Sequence, residues 1–492
     1  MRILIFIASQ RKGFFISLGR LLAADGHQVS FAARDKNVAA LIRRLAPDLA
    51  GSMAVTDDFA APLPEAEVLA RAAEVEARYG VRLSFLLSYD RALGRGYIFN
   101  ADRYPAIGRA RWSQLRKLQH VLERFALAEH LLDTFSPDLL LAVQKDEIVN
   151  VVAKARGVAY MNPAAAKIGT RYFWSDNQYI TSTAFLDGIR ENLARGLEGL
   201  PPVEGYDQDA GSKFNHAKLR FTWTRACKEA AMQVLRDTKA LVSGSRKKDS
   251  YPFLGWVPYL FRRPAIYRYC LRLGRRPEDL AGRRTVYIPL HLEPEIALLA
   301  ISPEFNNSME MIAWISKAAP ADVLLVVKEQ PYSFGVRSRR YYEQLLQISN
   351  VVLAHPETTS WEWIRSTTVT ATITGTAGTE AVMFGKPVLS FGRHQAVNLL
   401  PTVRLARDYE GVREGLDALL ALDPQDDAFE LSRRALYQAQ LSASFDLAGY
   451  QRTTAGLQLE DDLAARALAA LKPRLQSLYP GQYGPGQEKG AP

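Results

Sequence analysis

Apolar and polar positions along the first half of the chain form a pattern of strands and helices. An apolar run, MRILIFIA, is followed by the helical pattern FISLGRLLAADG and a second apolar run, HQVSFAAR, which together predict a β-α-β unit. A helical middle extends from about Leu63 to Phe135, and the short apolar runs PDLLLAV and GVAYMN then flank a segment with helical spacing. These patterns predict a parallel sheet with helices on both faces.

The second half of the chain has the clearest alternation. It begins at TVYIPLH and continues through the apolar runs DVLLVVKE, NVVLA, TVTATITG and PVLSFG, with a helical pattern between successive runs. Helices of this length between strands imply a second doubly wound sheet, whose binding edge lies at the carboxyl ends of its strands. The predicted fold class is therefore α/β, with two Rossmann-like doubly wound parallel-sheet domains.

A chain of 492 residues is too long for one hydrophobic core, which agrees with two domains. The predicted regions are 1–214, an N-terminal Rossmann-like domain; 215–284, a basic and aromatic interdomain helical region; 285–425, a C-terminal Rossmann-like domain; 426–479, C-terminal helices; and 480–492, a disordered tail.

Composition changes this picture little. Hydrophobic residues make up 48% of the chain and charged residues 23%, as in ordinary globular proteins. The two cysteines, Cys227 and Cys270, support neither a disulfide framework nor a zinc site. The first apolar run is shorter than the core of a signal peptide, and we therefore expect a cytoplasmic protein.

The net charge of +10 matters where it is concentrated, as in WVPYLFRRPAIYRYCLRLGRR. Arginines interleaved with aromatic residues can lie on an anionic bilayer surface, where each basic residue contributes about 1 kcal/mol. The alternative is an interdomain helix with solvated arginines, which is favoured because Pro258 and Pro264 should break any long amphipathic face. No nucleic-acid-binding module is recognisable, and nucleic acid is not an expected partner.

The segment TITGTAGTEAVMFGKPVLSFG places a glycine-rich turn between a strand and a helix. Free N–H groups at a helix start, together with the helix dipole, favour a phosphate or carboxylate there. The same pattern fits a plain strand-to-helix turn with Thr379 as the N-cap, and both interpretations stay open at this point. The candidate ligand-binding residues are Thr374, Gly375, Thr376, Gly378, Thr379 and Glu380.

This segment, together with YIPLHLEPE and LLVVKEQPYSFGVR, resembles the carboxyl-terminal half of capsule and surface-polysaccharide biosynthesis glycosyltransferases. The resemblance covers mainly residues 287–391. It implies the GT-B fold, in which two Rossmann-like domains face a central cleft that holds a donor nucleotide, and the family includes transferases of Kdo from its CMP-activated form. Region 285–425 would then be the nucleotide-sugar donor domain and region 1–214 the acceptor-binding domain.

The resemblance also implies roles for individual residues. The glycine turn would hold the donor's phosphate, Glu380 would face the nucleotide ribose, and Lys328 at a strand end would neutralise a phosphate. Related enzymes commonly carry His-Pro where this chain has Gln330 before a proline, and glutamine supplies neither a positive charge nor a proton shuttle. His355 precedes another proline and could substitute, or could be a surface-loop histidine.

Three further donor-side candidates lie just past a strand in PLHLEPE. His291, Glu293 and Glu295 could together serve acid/base chemistry or bind a sugar, with Glu293 as a catalytic candidate and the other two as donor-binding candidates. The alternative is a solvated loop in which Glu295 begins the next helix.

An inverting glycosyl transfer needs a base that removes the acceptor's hydroxyl proton. Asp146 and Glu147 follow a buried strand in LLLAVQKDEIVN, and Glu147 is the preferred catalytic candidate of the two. Both could equally be helix caps or dipole partners. Asp90 in SYDRALGRGY is a further candidate base, although we expect it to pair with an arginine.

The sequence therefore predicts a cytoplasmic glycosyltransferase that moves a sugar from a nucleotide donor, with CMP-Kdo as a candidate, to a capsule or lipopolysaccharide glycan or a lipid-linked glycan. No Asp-x-Asp motif follows a strand, and neither a metal nor a cofactor is expected. Peripheral association with the inner membrane would suit such an acceptor. The alternatives are an enzyme of the UDP-N-acetylglucosamine 2-epimerase type and a non-catalytic glycan-binding subunit of a polysaccharide assembly.

Overall fold

The computed structural model describes residues 1–8, 10–105, 108–142, 146–177, 179–204, 206, 221–244, 251–294, 296–450 and 458–478. The predicted tail at 480–492 and the candidate Glu295 lie outside these residues. The chain forms two compact units. Unit 1 comprises Met1–Leu83, Leu118–Asp187 and the described residues from Ala439 onward, and unit 2 comprises Ser84–Lys117 and Gly188–Gln438.

The described strands are β1 Arg2–Ile7, β2 Gln28–Ala33, β3 Met53–Val55, β4 Leu139–Ala142, β5 Ala159–Ala165, β6 Arg171–Ser175, β7 Arg284–Pro289, β8 Val323–Lys328, β9 Val351–Leu353, β10 Val369–Thr372, β11 Val388–Ser390, β12 Val403–Leu405 and β13 Phe445–Asp446.

The described α-helices are α1 Lys12–Ala24, α2 Lys36–Leu45, α3 Val68–Tyr79, α4 Leu83–Ser88, α5 Gln114–Phe135, α6 Glu147–Ala155, α7 Thr183–Arg195, α8 Trp223–Val242, α9 Val257–Leu273, α10 Ile296–Ile301, α11 Ser308–Ala318, α12 Arg339–Leu346, α13 Ser360–Ser366, α14 Thr376–Met383, α15 Tyr409–Leu420, α16 Asp427–Ala443 and α17 Asp461–Leu478. Each of them is too short or too polar to cross a bilayer.

Unit 1 is built on a sheet with the order β13-β6-β5-β4-β1-β2-β3. Strands β1 to β5 run parallel, and β6 is antiparallel to both β5 and β13. The apolar side chains of β1 are buried between helices on the two faces, with Phe14 of α1 and Leu471 of α17 in the same core. The β-α-β opening and the parallel sheet predicted for the first half are confirmed.

Unit 2 contains a fully parallel sheet with the order β12-β11-β10-β7-β8-β9. Numbered from its own first strand, this is the order 3-2-1-4-5-6 of the doubly wound dinucleotide-binding fold. The order reverses between β7 and β10, and such a reversal opens a crevice at the carboxyl ends of those two strands. The predicted fold class, α/β with two doubly wound parallel sheets, is confirmed.

Unit 2 also includes a segment from the N-terminal half of the chain. Within residues 84–117, the Asp102 carboxylate accepts a hydrogen bond from the Ser338 N–H at 3.0 Å, and the Arg103 N–H donates to the Val336 carbonyl at 3.0 Å. Both bonds join this segment to the loop that follows β8. The compact units are thus assembled from separated segments, whereas the regions drawn from the sequence are contiguous.

Most of the basic and aromatic stretch forms a single helix, α9, as the helix interpretation predicts, and the helix continues through Pro264. Pro258 lies in the first turn, where an N–H has no intrahelical partner to lose. Pro264 lies inside the helix and is buried beside Tyr267 and Ile266, so that packing offsets the missing hydrogen bond. The aromatic side chains of this stretch that are buried pack into unit 2, as the helix interpretation predicts.

Four of the described strands were not predicted: β3, β6, β12 and β13. Three of them, β3, β12 and β13, have only two or three residues and therefore little apolar alternation of their own. β13 also interrupts the C-terminal region that the sequence pattern marks as helical, because Phe445 pairs with Tyr172 of β6.

Candidate functional site

The polar residues predicted from the second half of the sequence lie along one edge of the unit 2 sheet. His291 follows β7, Lys328 ends β8, His355 follows β9 and Thr374 follows β10. Because all these strands are parallel and adjacent, their carboxyl ends share one edge. The structure thus brings together the residues that the sequence places more than eighty positions apart, such as His291 and Thr374.

A hydrogen bond crosses the point where the strand order reverses. The backbone N–H of Thr374 donates to Nε2 of His291 at 3.1 Å, and the His291 side chain is only 7% exposed. An imidazole nitrogen that accepts carries no proton, so a neutral His291 holds its proton on Nδ1. His291 therefore ties the loop after β7 to the segment that leads into α14.

Helix α14 begins at Thr376, with Gly375 as its N-cap in an extended conformation and with no capping side chain. The interpretation that Thr379 is the N-cap is wrong, because Thr379 lies inside the helix and is buried. The first N–H groups of an α-helix have no intrahelical partners and carry the positive end of its dipole. This helix start, with the exposed Thr376, can therefore bind a phosphate at the crevice between β7 and β10.

The two glycines of the turn are required by packing. A Cβ atom on Gly375 would lie 2.9 Å from Oγ1 of Thr372, and one on Gly378 would lie 3.0 Å from Cγ2 of the same residue. The Gly375 N–H also donates to Thr372 Oγ1 at 3.1 Å. The start of α14 thus lies directly against β10, and this close contact accounts for both glycines whether or not a ligand binds.

Lys328 is buried, with 3% of its surface exposed. Its Nζ donates to the carbonyl of Pro356 at 3.5 Å. Burial lowers the pKa of Lys328 to about 8, against the opposing influence of the Glu329 charge. The Lys328 amine is therefore buried against the turn that follows β9.

The turn after β9 also contains His355, which is partly buried. Its Nδ1 accepts a hydrogen bond from the Glu357 N–H at 3.3 Å. Burial and the charge of Arg276 lower the pKa of His355, which favours the neutral imidazole. The substitute role considered for His355 stays a prediction.

A buried ion-pair cluster lies behind the loops that follow β7 and β8. Arg337, which is fully buried, donates from Nη2 to Glu293 Oε1 at 2.7 Å and from Nη1 to Glu329 Oε1 at 2.7 Å. Its Nη2 also donates to the backbone carbonyl of His291 at 2.9 Å. The Tyr342 hydroxyl completes the cluster by donating to Glu329 Oε2.

Glu293 is therefore held by Arg337 and is only 3% exposed. Burial raises the pKa of the Glu293 carboxyl, although the Arg337 guanidinium acts in the opposite direction. Ser308 Oγ adds a hydrogen bond to the same carboxylate oxygen at 3.4 Å. The catalytic role of Glu293 stays a prediction, and the contacts described here serve to position Arg337.

Sequence reasoning missed Arg337 and Glu329. Arg337 lies in GVRSRRYYE, where three arginines and two tyrosines are typical of the start of a solvated helix, and Glu329 has the pattern of an ordinary residue after a strand. Their importance comes from the bonds that Arg337 donates to both Glu329 and Glu293. Glu293 is separated from Arg337 by 44 positions in the sequence. The position of Glu329 directly after β8 is the one signal that could have suggested these bonds.

The loop after β11 is attached to the same edge. The Gln395 side chain donates from Nε2 to the Ile373 carbonyl at 2.5 Å and to Ser390 Oγ at 3.1 Å. A Cβ on Gly392 would lie 2.0 Å from that same Ile373 oxygen. Glu380, the predicted ribose ligand, lies on α14 and is partly exposed.

In unit 1, Asp146 is the N-cap of α6. Its Oδ1 accepts from the N–H groups of Ile148 and Val149, each at 3.1 Å, while its Oδ2 accepts from Arg124 at 2.8 Å. These contacts match the cap interpretation. Glu147 is the first residue of α6, and both carboxylates are partly exposed.

The expected pairing of Asp90 with an arginine is wrong for the described residues. Asp90 Oδ1 accepts from the N–H groups of Ala92 at 2.6 Å and Leu93 at 3.0 Å, which stabilises a turn. Arg95 instead donates to the carbonyls of Ala101 at 3.1 Å and Tyr104 at 2.8 Å. Hydrogen bonds to backbone N–H groups of a local turn cost less conformational entropy than an ion pair with the long side chain of an arginine would.

Over the described part of the chain, no three His, Cys, Asp or Glu side chains cluster in a way that could hold a metal ion.

One family model matches part of unit 2. Residues 272–396 match the family model described as capsule polysaccharide biosynthesis protein. This range runs from the end of α9 to the loop after β11 and contains the strand ends described above. The resemblance to capsule polysaccharide biosynthesis proteins is confirmed for this range. No curated protein matches the chain.

Solved structures that match the chain include two Kdo transferases and an epimerase. The chain is 14% identical to the β-Kdo 2,7 transferase of Thermosulfurimonas dismutans KpsC, over 74% of this chain and 98% of that one, with a TM-score of 0.35. The β-Kdo 2,4 transferase of the same KpsC gives 10% identity over 68% and 87%, with a TM-score of 0.33. The UDP-GlcNAc 2-epimerase of Methanocaldococcus jannaschii gives 8% identity over 89% and 98%, with a TM-score of 0.28.

Proposed function

We propose that the chain is a glycosyltransferase of capsule or surface-polysaccharide synthesis that uses a nucleotide-activated sugar. One observation carries this proposal: the range that matches the capsule polysaccharide biosynthesis family coincides with the polar edge of a sheet in dinucleotide-binding order. Ligands of such sheets bind at the carboxyl ends of the strands, where the strand order reverses. Here that point lies between His291 and the start of α14.

The start of α14 would bind the donor's phosphate. Its N–H groups and dipole stabilise negative charge, and this stabilisation grows as the leaving phosphate gains charge in the transition state. Thr374 and Thr376 would add hydroxyl donors, and Glu380 would accept from the ribose hydroxyls. Such a mechanism needs no metal or cofactor, because helix dipole and side chains take over the stabilisation of the leaving group.

Unit 1 would supply the acceptor site and the base. Asp146 is engaged by two backbone N–H groups and Arg124, and Glu147, the first residue of α6, is therefore the preferred base. An inverting transfer would then use Glu147 to remove the proton of the attacking hydroxyl. The donor proposed first is CMP-Kdo, on the strength of the sequence motifs, with a capsule or lipopolysaccharide glycan as the acceptor.

Product analysis tests this function. The protein is incubated with CMP-Kdo or with UDP-N-acetylglucosamine, in the presence and absence of a capsule or lipopolysaccharide acceptor. We expect an elongated glycan that requires both substrates, and Glu147→Gln should reduce the rate by about 100-fold or more while the nucleotide affinity stays unchanged. The matched control is Asp146→Asn, which keeps a capping oxygen.

A new sugar nucleotide formed from the donor alone would instead identify an epimerase. Binding of glycan without any nucleotide would identify a non-catalytic subunit, in agreement with the Gln330 that replaces the family's usual histidine.

We further propose that unit 2 contacts the inner face of the cytoplasmic membrane, as a lipid-linked acceptor would require. One face of α8 carries the exposed side chains Met232, Leu235 and Val242 at helical spacing, with Lys228 and Lys239 on the same stripe. Exposed apolar residues interleaved with lysines suit an anionic bilayer, to which each lysine adds about 1 kcal/mol.

Vesicle sedimentation tests the membrane contact. The protein should sediment with vesicles that contain phosphatidylglycerol and stay in solution with phosphatidylcholine vesicles. Replacing Leu235 and Val242 by serine should abolish sedimentation without a change in melting temperature. Equal sedimentation of this variant would contradict the contact, as would a dimer that forms through α8.

A further inference from the structure

A chain of hydrogen bonds connects three neighbouring strand ends of unit 2. Tyr342 of α12 binds Glu329 after β8, and Glu329 accepts from Arg337 at 2.7 Å. Arg337 donates to the backbone carbonyl of His291 after β7 at 2.9 Å. His291 in turn accepts from the N–H of Thr374 after β10 at 3.1 Å, two residues before α14 begins.

The Arg337 guanidinium joins the loops after β7 and β8 beyond the last backbone hydrogen bond between them. The last backbone bond between the loops of β7 and β8 joins the Leu290 N–H to the Lys328 carbonyl at 2.8 Å. Beyond it, the next residues of the two loops, His291 and Glu329, are joined through the Arg337 guanidinium. The guanidinium is a planar fork with several donors, so that it can hold a carbonyl and two carboxylates at the same time.

We propose that Arg337 is a positioning residue of the nucleotide site. It fixes the backbone of His291, and His291 fixes the entry into α14, which would bind the phosphate. This inference rests on the proposed function for the identity of the ligand. Arg337 itself is fully buried behind the loops and does not contact the ligand.

The surroundings of Arg337 suit such a role. Its backbone is anchored on both sides, because the Val336 carbonyl accepts from Arg103 and the Ser338 N–H donates to Asp102. The buried carboxylates of Glu293 and Glu329 compensate its charge, and Lys328, also buried, brings the four groups to electrical neutrality.

Stability alone does not account for such a cluster. Apolar side chains of similar volume could fill the same space at a similar or lower free energy. Apolar side chains cannot hold the His291 carbonyl, which is the contact that a positioning role requires.

Two substitutions of Arg337 test the proposal against a matched control. Arg337→Met removes the charge and every donor, while Arg337→Lys keeps the charge but cannot hold the His291 carbonyl and both carboxylates in the same geometry. Arg339→Met is the control, because Arg339 is 68% exposed in its side chain and pairs with Glu343 on its own helix.

The first readout does not depend on any ligand. The protein contains seven histidines, and ¹⁵N labelling of their rings reports which nitrogen accepts a hydrogen bond. His291→Gln assigns the His291 signals. In Arg337→Met, and to a smaller extent in Arg337→Lys, the Nε2 signal of His291 should leave the position of a hydrogen-bonded acceptor, whereas Arg339→Met should not move it.

The second readout is the dissociation constant of CMP and of UDP, measured by calorimetry at a temperature where each variant is folded. We expect roughly tenfold weaker binding in Arg337→Met, an intermediate loss in Arg337→Lys and no change in Arg339→Met. An unchanged His291 signal together with an unchanged affinity in folded Arg337→Met would overturn the proposal.

Two further cases remain decisive. If Arg337→Met does not fold, Arg337→Lys decides, and a wild-type His291 signal and affinity in that variant reject the positioning role. If the wild-type protein binds neither CMP nor UDP, the proposed function fails, while the His291 signal still decides whether Arg337 holds the histidine.

Discussion

The buried charge of Lys328 makes the stability of the protein depend on pH. A lysine that is protonated inside the protein has lost most of its hydration, and this loss lowers its pKa to about 8. An unfolded lysine has a pKa of about 10.4. Between these values the unfolded chain binds more protons than the folded one, so that stability rises with pH, and below about pH 8 the burial of the charge costs about 3 kcal/mol.

We therefore expect Lys328→Met to change the pH dependence of stability. The variant should gain most, relative to the wild type, at pH 7, and the gain should shrink as the pH rises from 8 towards 10. Urea unfolding at pH 7, 8.5 and 10 measures this difference. Lys317→Met, at an exposed position of α11, is the control and should show no such trend. A gain in Lys328→Met that stays constant with pH would contradict the account.

At the residue scale, the sequence predicted which residue types gather at the sheet edge, and it did so from their position after apolar runs. It could not predict their partners. Nothing in PLHLEPE or GVRS indicates that Glu293 pairs with Arg337, because the pairing depends on how the loops of two strands fold back. Likewise, Thr379 has the residue type of an N-cap, but the N-cap of this helix is Gly375, about one turn earlier.

At the scale of elements, the contact between β10 and α14 decides how the candidate phosphate site is built. Thr372 presents two different atoms to the two glycines: Oγ1 faces Gly375 and Cγ2 faces Gly378. The remaining neighbours of a Cβ on Gly378 lie at 3.8 Å or more, which is ordinary van der Waals contact.

This geometry predicts a selective rescue. Gly378→Ala and Gly375→Ala should each destabilise the protein by about 1 to 3 kcal/mol because of overpacking. Thr372→Ser removes Cγ2 and keeps Oγ1, and it should therefore rescue Gly378→Ala but not Gly375→Ala. The free energies of unfolding of the single and double variants, combined in two double-mutant cycles, measure the coupling. Equal rescue of both glycine variants would show that the helix start packs differently.

The sequence predicted β7 to β11 well, because each of these strands is a short apolar run between helical segments. Pro264 disfavours a helix locally, yet α9 continues through it with the proline buried. The two residues of β13 carry too little pattern to be found.

At the scale of the whole molecule, two doubly wound sheets follow from the alternation of elements, but the division of the chain into units does not. Residues 84–117 come from the N-terminal half and belong to unit 2, where Asp102 and Arg103 bond to the loop after β8. Such long-range docking has no local signal in the sequence. It matters for function because that loop carries Arg337.

The central claim is that a nucleotide phosphate binds the start of α14, and Thr376 allows a direct test. Thr376 is the first residue of the helix, where proline is well tolerated, and Gly375 before it already has the extended backbone that a following proline requires. Thr376→Pro therefore removes one N–H donor and the hydroxyl, while Thr376→Ala removes the hydroxyl alone.

Calorimetric titration of CMP and UDP into the wild type and these two variants is the decisive measurement. We expect that the wild type binds at least one nucleotide, that Thr376→Ala binds it more weakly because the hydroxyl is lost, and that Thr376→Pro binds it roughly tenfold more weakly than Thr376→Ala at unchanged melting temperature. Wild-type affinity in Thr376→Pro, or no binding of either nucleotide to the wild type, would contradict a phosphate site at the start of α14.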